Sequence, residues 1–138
     1  MGIDHTGIVV SADKHAAAVE FYLAALAPLG YAKGLEFHDG AVVGFADTKL
    51  GGINWWVTSR AVKPAGDNGK DIVPSHHAFS ASDRVSVDAF YQAAVAAGAK
   101  DNGAPGPRAH YGLTYYGAFV IDPAGNNIEA VCRLAPPA

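Results

Sequence analysis

The sequence predicts an α+β fold built from two tandem βαβββ modules, and three observations carry that prediction. Strand-like and helix-like patterns follow one another in the same order in each half of the 138-residue chain. Residues recur at matching places: Phe21-Tyr22 answers to Phe90-Tyr91, Leu29-Gly30 to Ala97-Gly98, and Gly52-Ile53-Asn54 to Asn127-Ile128-Glu129. A polar segment over 59–74, with Pro64, Gly66 and Gly69, separates the two halves. The expected organisation is therefore one domain over 1–138, made of an N-terminal module (1–58), a linker (59–74) and a C-terminal module (75–138). A single helix covers only one face of its module's sheet, so the halves are expected to associate.

The elements follow in order. His5 to Val10 is β-rich and short, with odd and even positions facing opposite ways. Asp13 is a candidate N-cap for a helix over 14–27, on which Val19, Tyr22 and Leu26 share a stripe. Pro28 and Gly30 end it. Strands are expected over 31–37, 41–46 and 53–58, with Asp39-Gly40 as a hairpin signal and Gly51-Gly52 as a turn. The second half opens with a strand over 76–81. Ser82 or Ser86 then caps a helix running to Ala97, with Val87, Phe90 and Ala94 on one face and Gly98 at its end. A Gly- and Pro-rich segment over 101–108 precedes strands over 115–121 and 127–133, which are joined by the tight turn Asp122-Pro123-Ala124-Gly125.

Composition sets aside several classes of function. Half the residues are hydrophobic and 17% are charged, which is the balance of a folded domain. A net charge of −3 gives no electrostatic reason to bind nucleic acid or an anionic membrane surface. The one cysteine, Cys132, rules out an internal disulfide framework and a multi-thiolate zinc site. The first residues lack the basic-then-apolar pattern of a secretory signal, and no apolar run reaches the ~18 residues a membrane span needs. The expected location is the cytoplasm. Dinucleotide and nucleoside triphosphate loops are absent, as is a Gly-x-Ser-x-Gly nucleophile motif.

This duplicated order, with His5 and His76 opening the halves and Glu129 in the last strand, resembles the vicinal oxygen chelate superfamily. That group includes glyoxalases, bleomycin-resistance proteins and extradiol dioxygenases. The resemblance covers nearly the whole chain. It rests on Asp4-His5-Thr6-Gly7, Phe21-Tyr22, and the run from Tyr115-Tyr116-Gly117-Ala118-Phe119 through Asp122-Pro123-Ala124-Gly125-Asn126-Asn127-Ile128-Glu129-Ala130-Val131. Gly103-Ala104-Pro105-Gly106-Pro107-Arg108 is similar to a loop of a glyoxalase-like subgroup.

The resemblance implies a cupped mixed sheet in which the first and last strands of each module lie side by side. It also implies a divalent ion (Fe, Zn, Mn, Ni or Co) held by His5, His76 and Glu129, with Asn54 in or near a fourth position. Two imidazoles and one carboxylate suit such an ion and leave sites open for a bidentate oxygen substrate. Asn54 departs from the pattern, because members with metal carry Glu, Gln or His there.

Each residue is weighed by its own chemistry. Glu129 lies between Ile128 and Ala130 and would be costly to bury without a partner, so it is the candidate catalytic residue. By strand parity Trp56 shares the side of Asn54 and offers a wall for a planar or apolar ligand. Arg108 has the fork to clamp a ligand carboxylate. Tyr115 and Tyr116 alternate, and Tyr115 is the candidate to place a phenol in the pocket. His77 should face away from His76, and Phe21-Tyr22 and Phe90-Tyr91 read as core.

The leading expectation is an enzyme of the glyoxalase and dioxygenase type, working on a small oxygen-bearing molecule and pairing as a homodimer. The alternative is a non-catalytic protein of the bleomycin-resistance type that sequesters a small molecule.

Overall fold

The computed structural model describes residues 2–138. In the first half, strand β1 (Thr6–Val10) leads into helix α1 (His15–Leu26), then β2 (Tyr31–Phe37), β3 (Val42–Asp47) and β4 (Ile53–Ser59). The second half repeats this with β5 (His76–Ser80), α2 (Arg84–Ala96), β6 (Lys100–Pro107), β7 (Tyr116–Ile121) and β8 (Asn127–Cys132). The fold is the expected α+β duplication. Each half forms its own four-stranded mixed sheet, in the orders β1-β4-β3-β2 and β5-β8-β7-β6. No described helix is long and apolar enough to cross a membrane.

In both sheets the first strand runs parallel to the last, with Thr6 opposite Trp55 and His76 opposite Asn127. A parallel pair needs a long crossover, and α1 or α2 with the strands that follow supplies it. Each helix covers one face of its sheet. Beneath α1 lie Ile8, Val10, Val43, Phe45, Trp55 and Val57, and beneath α2 lie Ala118, Val120, Ile128, Ala130 and Cys132, all buried. The expected stripe of α2 holds, since Val87, Phe90 and Ala94 are its buried residues.

Local chemistry differs from expectation at both helix starts. Asp13 does not cap α1. The N-cap position is Lys14, which makes no side-chain cap, and the chain turns there through a Lys14 N–H to Ser11 carbonyl bond of 3.0 Å. For α2 the cap is neither Ser82 nor Ser86 but Asp83, whose Oδ1 accepts from the Ser86 backbone N–H at 2.7 Å. A carboxylate there also faces the positive end of the helix dipole.

The Gly- and Pro-rich segment forms strand β6, although Pro105 and Pro107 cannot donate to a ladder. It can do so because β6 is an edge strand paired only with β7, and its register shifts twice along the pair.

One core runs through both halves. Phe79 meets Tyr31 at 5.5 Å and Trp55 at 5.1 Å between ring centroids, both edge-on. A buried hydrogen bond joins the modules as well: the Tyr22 hydroxyl of α1 donates to Asp122 Oδ2, one hundred residues away in the β7–β8 turn. Asp122 is 4% exposed and also accepts from the Ala124 and Asn126 backbone N–H groups, at 2.9 and 2.8 Å. The linker is ordered by Arg60, whose Nε and Nη2 both donate to the Asp67 carboxylate, at 2.9 and 2.8 Å.

Replacing Tyr22 with Phe removes one donor from the buried Asp122, and we expect a loss of about 1–2 kcal/mol in denaturant unfolding. The Arg60 bond, aided by the Gly69 N–H, holds the Asp67 carboxyl at about 2. A lowered carboxyl stabilises fully above its ordinary value of 3.8, and that contribution is lost as pH falls through about 2. An NMR titration should find Asp67 there, and Arg60→Gln should return it to the ordinary carboxylate range.

Candidate functional site

The parallel pairing of β5 with β8 puts His76, Ala78 and Ser80 on the same face as Asn127, Glu129 and Val131. That face is the one α2 leaves bare. His76 Nε2 lies 3.0 Å from Glu129 Oε2, and the Tyr115 hydroxyl donates to Glu129 Oε1. Glu129 is 2% exposed, whereas the His76 side chain is 53% exposed. A carboxylate so deeply placed needs donors on its oxygens, and here each oxygen has one.

Burial, and then the bond to Glu129, push the Tyr115 phenol up to about 12, so it stays a proton donor. With Nε2 engaged by Glu129, Nδ1 is the ring nitrogen of His76 left without a partner among the described residues. A carboxylate on Nε2 favours the tautomer with its proton there, and the imidazole is the more exposed of the two groups.

The remaining expected residues are placed unevenly. Asn54 and His76 line one groove of about 590 Å³ between the modules, together with Tyr31, Trp55 and His77. Two buried polar atoms there lack hydrogen-bond partners, Asn54 Oδ1 and Trp55 Nε1. His77 faces the helix side, edge-on to Trp55 at 4.8 Å, and its burial, followed by the charge of His76, lowers its pKa.

Trp56 does not share the side of Asn54. The register of β3 with β4 shifts between Phe45 and Ala46, and both Ile53 and Trp56 lie over Gly44. A Cβ on Gly44 would come within 2.6 Å of Ile53 and 2.7 Å of Trp56. The parity argument fails at that bulge because one extra residue reverses which way each side chain points. Trp56 instead stacks on Phe37 at 6.0 Å on the bare face of the first sheet.

His5 stands apart from the pair. Its Nδ1 contacts Asp4 Oδ1 at 2.7 Å, and its side chain is largely exposed. Among the described residues, no three His, Cys, Asp or Glu side chains gather as a metal-binding group. One chain therefore offers two of the expected donors side by side, His76 and Glu129, and this set does not fit a three-ligand ion.

Arg108 sits on the bare face of the second sheet, with Cζ 5.5 Å from the Phe119 ring centroid. Phe119 in turn lies 6.3 Å from the His76 ring. The sequence reading missed Phe119, which reaches the site because β7 pairs it directly with Glu129. It also missed Arg133, whose guanidinium covers the Tyr115 ring at 4.8 Å. No local pattern marks either residue. Only the register does.

Two tandem modules, each with its first and last strands paired in parallel, are a fold shared with known proteins. The chain matches the model of the Glyoxalase/Bleomycin resistance protein/Dioxygenase superfamily over residues 2–130, and it belongs to that family. No curated protein matches it. Among solved structures, a glyoxalase/bleomycin resistance protein from Albidiferax ferrireducens T118 is 26% identical with a TM-score of 0.67, covering 94% of this chain and 98% of that one. A family enzyme from Burkholderia phytofirmans PsJN is 19% identical with a TM-score of 0.69, covering 97% and 100%. A lactoylglutathione lyase from Agrobacterium tumefaciens is 20% identical with a TM-score of 0.63, covering 92% and 91%. The last two show the shared fold.

Tyr115→Phe deletes one of the two donors to the buried Glu129. Chemical unfolding should show a loss of about 1–3 kcal/mol, and Tyr115→Phe combined with Glu129→Gln should recover part of it, since the amide carries no charge.

Proposed function

We propose that the chain binds a small oxygen-bearing molecule beside His76 and acts on it through that imidazole, with Glu129 holding the proton on Nε2. The observation that carries this is the exposed His76 backed at 3.0 Å by a buried carboxylate. In this reading Nδ1 takes a proton from the ligand, and the Glu129 carboxylate stabilises the imidazolium that forms. Asn54 Oδ1 and Trp55 Nε1, both unpaired in the adjoining groove, are an acceptor and a donor suited to the ligand's hydroxyl and carbonyl groups. Tyr115 keeps Glu129 in place, and Arg108 borders the same face. The compartment we propose is the cytoplasm.

Both sheets keep a bare face, and Phe37 and Leu35 on the first are about half exposed. We take the occupant of these faces to be a second copy of the chain, which would make a homodimer and close the cup. In an ion-loaded state His76 and Glu129 would be ligands in place of being hydrogen-bonded to each other, and a second copy would have to supply the remaining donors.

Sedimentation and metal analysis test this together. The expected result is a dimer that takes up Fe, Zn, Mn, Ni or Co, with uptake lost in Glu129→Gln. A monomer that binds no ion overturns the dimer and the metal, while His76→Ala retaining full turnover of an identified substrate overturns the role of the imidazole.

The second reading is a protein that sequesters a planar compound without turning it over. It is favoured by the Phe37–Trp56 stack, whose rings lie within 20° of parallel on the bare face. Tryptophan quenching that saturates at one ligand per chain, with the ligand recovered unchanged, distinguishes it from catalysis.

A further inference from the structure

A guanidinium without a counter-ion lies one aromatic ring, Phe119, away from the His76–Glu129 pair. Arg108 Nη2 donates to the Ala104 carbonyl at 2.8 Å and Nη1 to the Pro107 carbonyl at 3.3 Å, so the strand just before it, β6, fixes the plane of the group. Phe119 lies beneath it. Two glycines leave the seat uncrowded. A Cβ on Gly103 would lie 3.2 Å from Nη2, and one on Gly106 would lie 3.2 Å from Nη1. Gly103 also has φ of 148°, which side-chain-bearing residues rarely adopt.

These bonds use one proton on each Nη and leave three N–H donors for other partners. Among the described residues no carboxylate pairs with Arg108, whereas Arg60 is clamped by Asp67. The concavity in front of Arg108 encloses about 340 Å³ and is lined by Asn102, Gly103, His110, Tyr111, Phe119 and Asn127, with no acidic side chain. Asn102 Nδ2 donates to Asn127 Oδ1 at 3.2 Å and orders the opposite wall.

We infer that this concavity is a carboxylate subsite, and that the molecule handled at His76 is a small planar acid. Its carboxylate meets the Arg108 fork, and its body lies along Phe119 toward the imidazole. The inference rests on the functional reading of His76 given above. Planarity follows from the platform, since Phe119 is near both the guanidinium and the His76 ring. A carboxylate follows from the fixed fork, which matches two oxygens in one plane. A ligand that is neutral at that end leaves the guanidinium unpaired, and it should bind more weakly.

The test uses the full chain with benzoate, benzamide and phenyl phosphate as probes. Affinity is measured by calorimetry, and contact with His76 by the NMR shift of its ring. Benzoate should bind about tenfold or more tightly than benzamide, and Arg108→Gln should abolish that gap while leaving benzamide within about twofold. Gly106→Ala should narrow the gap by displacing the guanidinium, with near-UV circular dichroism showing an unchanged fold. Equal binding of benzoate and benzamide, both shifting His76, overturns the carboxylate subsite alone. Phenyl phosphate binding more tightly than benzoate overturns the choice of carboxylate. If no probe shifts the His76 ring, this inference and the functional reading beneath it both fail.

Discussion

The pairing of the first strand of each half with its last, in parallel, is the constraint on which the rest of the molecule depends. Parallel neighbours cannot be joined by a tight turn, so each half must send its chain over one face as a helix and return through two antiparallel strands. That route buries one face of each sheet and bares the other. It also sets His76 on the face of Glu129, because His76 pairs with Asn127 two residues before it. A slip of one residue would turn Glu129 into the apolar layer beneath α2, among Ile128 and Ala130.

Two buried carboxylates show how the same chemistry serves different ends. Removing an ion from water costs several kcal/mol unless close donors replace the lost solvation. Asp122 has backbone and side-chain donors to its carboxylate from its own turn and the Tyr22 hydroxyl from the other half, all from buried or half-buried residues. It closes a turn and fastens the modules. Glu129 has only Tyr115 and His76, and His76 is half in solvent. One of its two donors can therefore respond to a ligand. The Asp-Pro-x-Gly-Asn run, conspicuous in the sequence, belongs to architecture, and the chemistry lies with the acid that follows it.

Family membership does not decide the reaction, since a fold hosts many activities and the site sets which. The particulars of this chain lie where it departs from a regular duplication. The bulge in β4 separates Asn54 from Trp56, so a groove lined by one and a stacking surface bearing the other are distinct places. The irregular edge strand β6 brings Gly103 and Gly106 under Arg108, where side chains would crowd the guanidinium.

Periodicity and turn chemistry were enough to read the module order and the buried stripe Val87, Phe90 and Ala94, because each follows from spacing along one element. The shared face of His76 and Glu129 was instead implied by the family resemblance, which sets the first and last strands side by side. Asp83 as the cap of α2 and the strand character of 100–107 were misjudged, since short polar residues compete for caps and an edge position excuses proline. The bulge beside Asn54, the bond from Tyr22 to Asp122 across one hundred residues, the seating of Arg108 on Phe119 and the failure of His5 to gather with His76 and Glu129 came from the tertiary structure alone. Local sequence carries the repeat of a strand or a helix. Which side chains meet depends on register and on the packing of one half against the other, and those are properties of the whole chain.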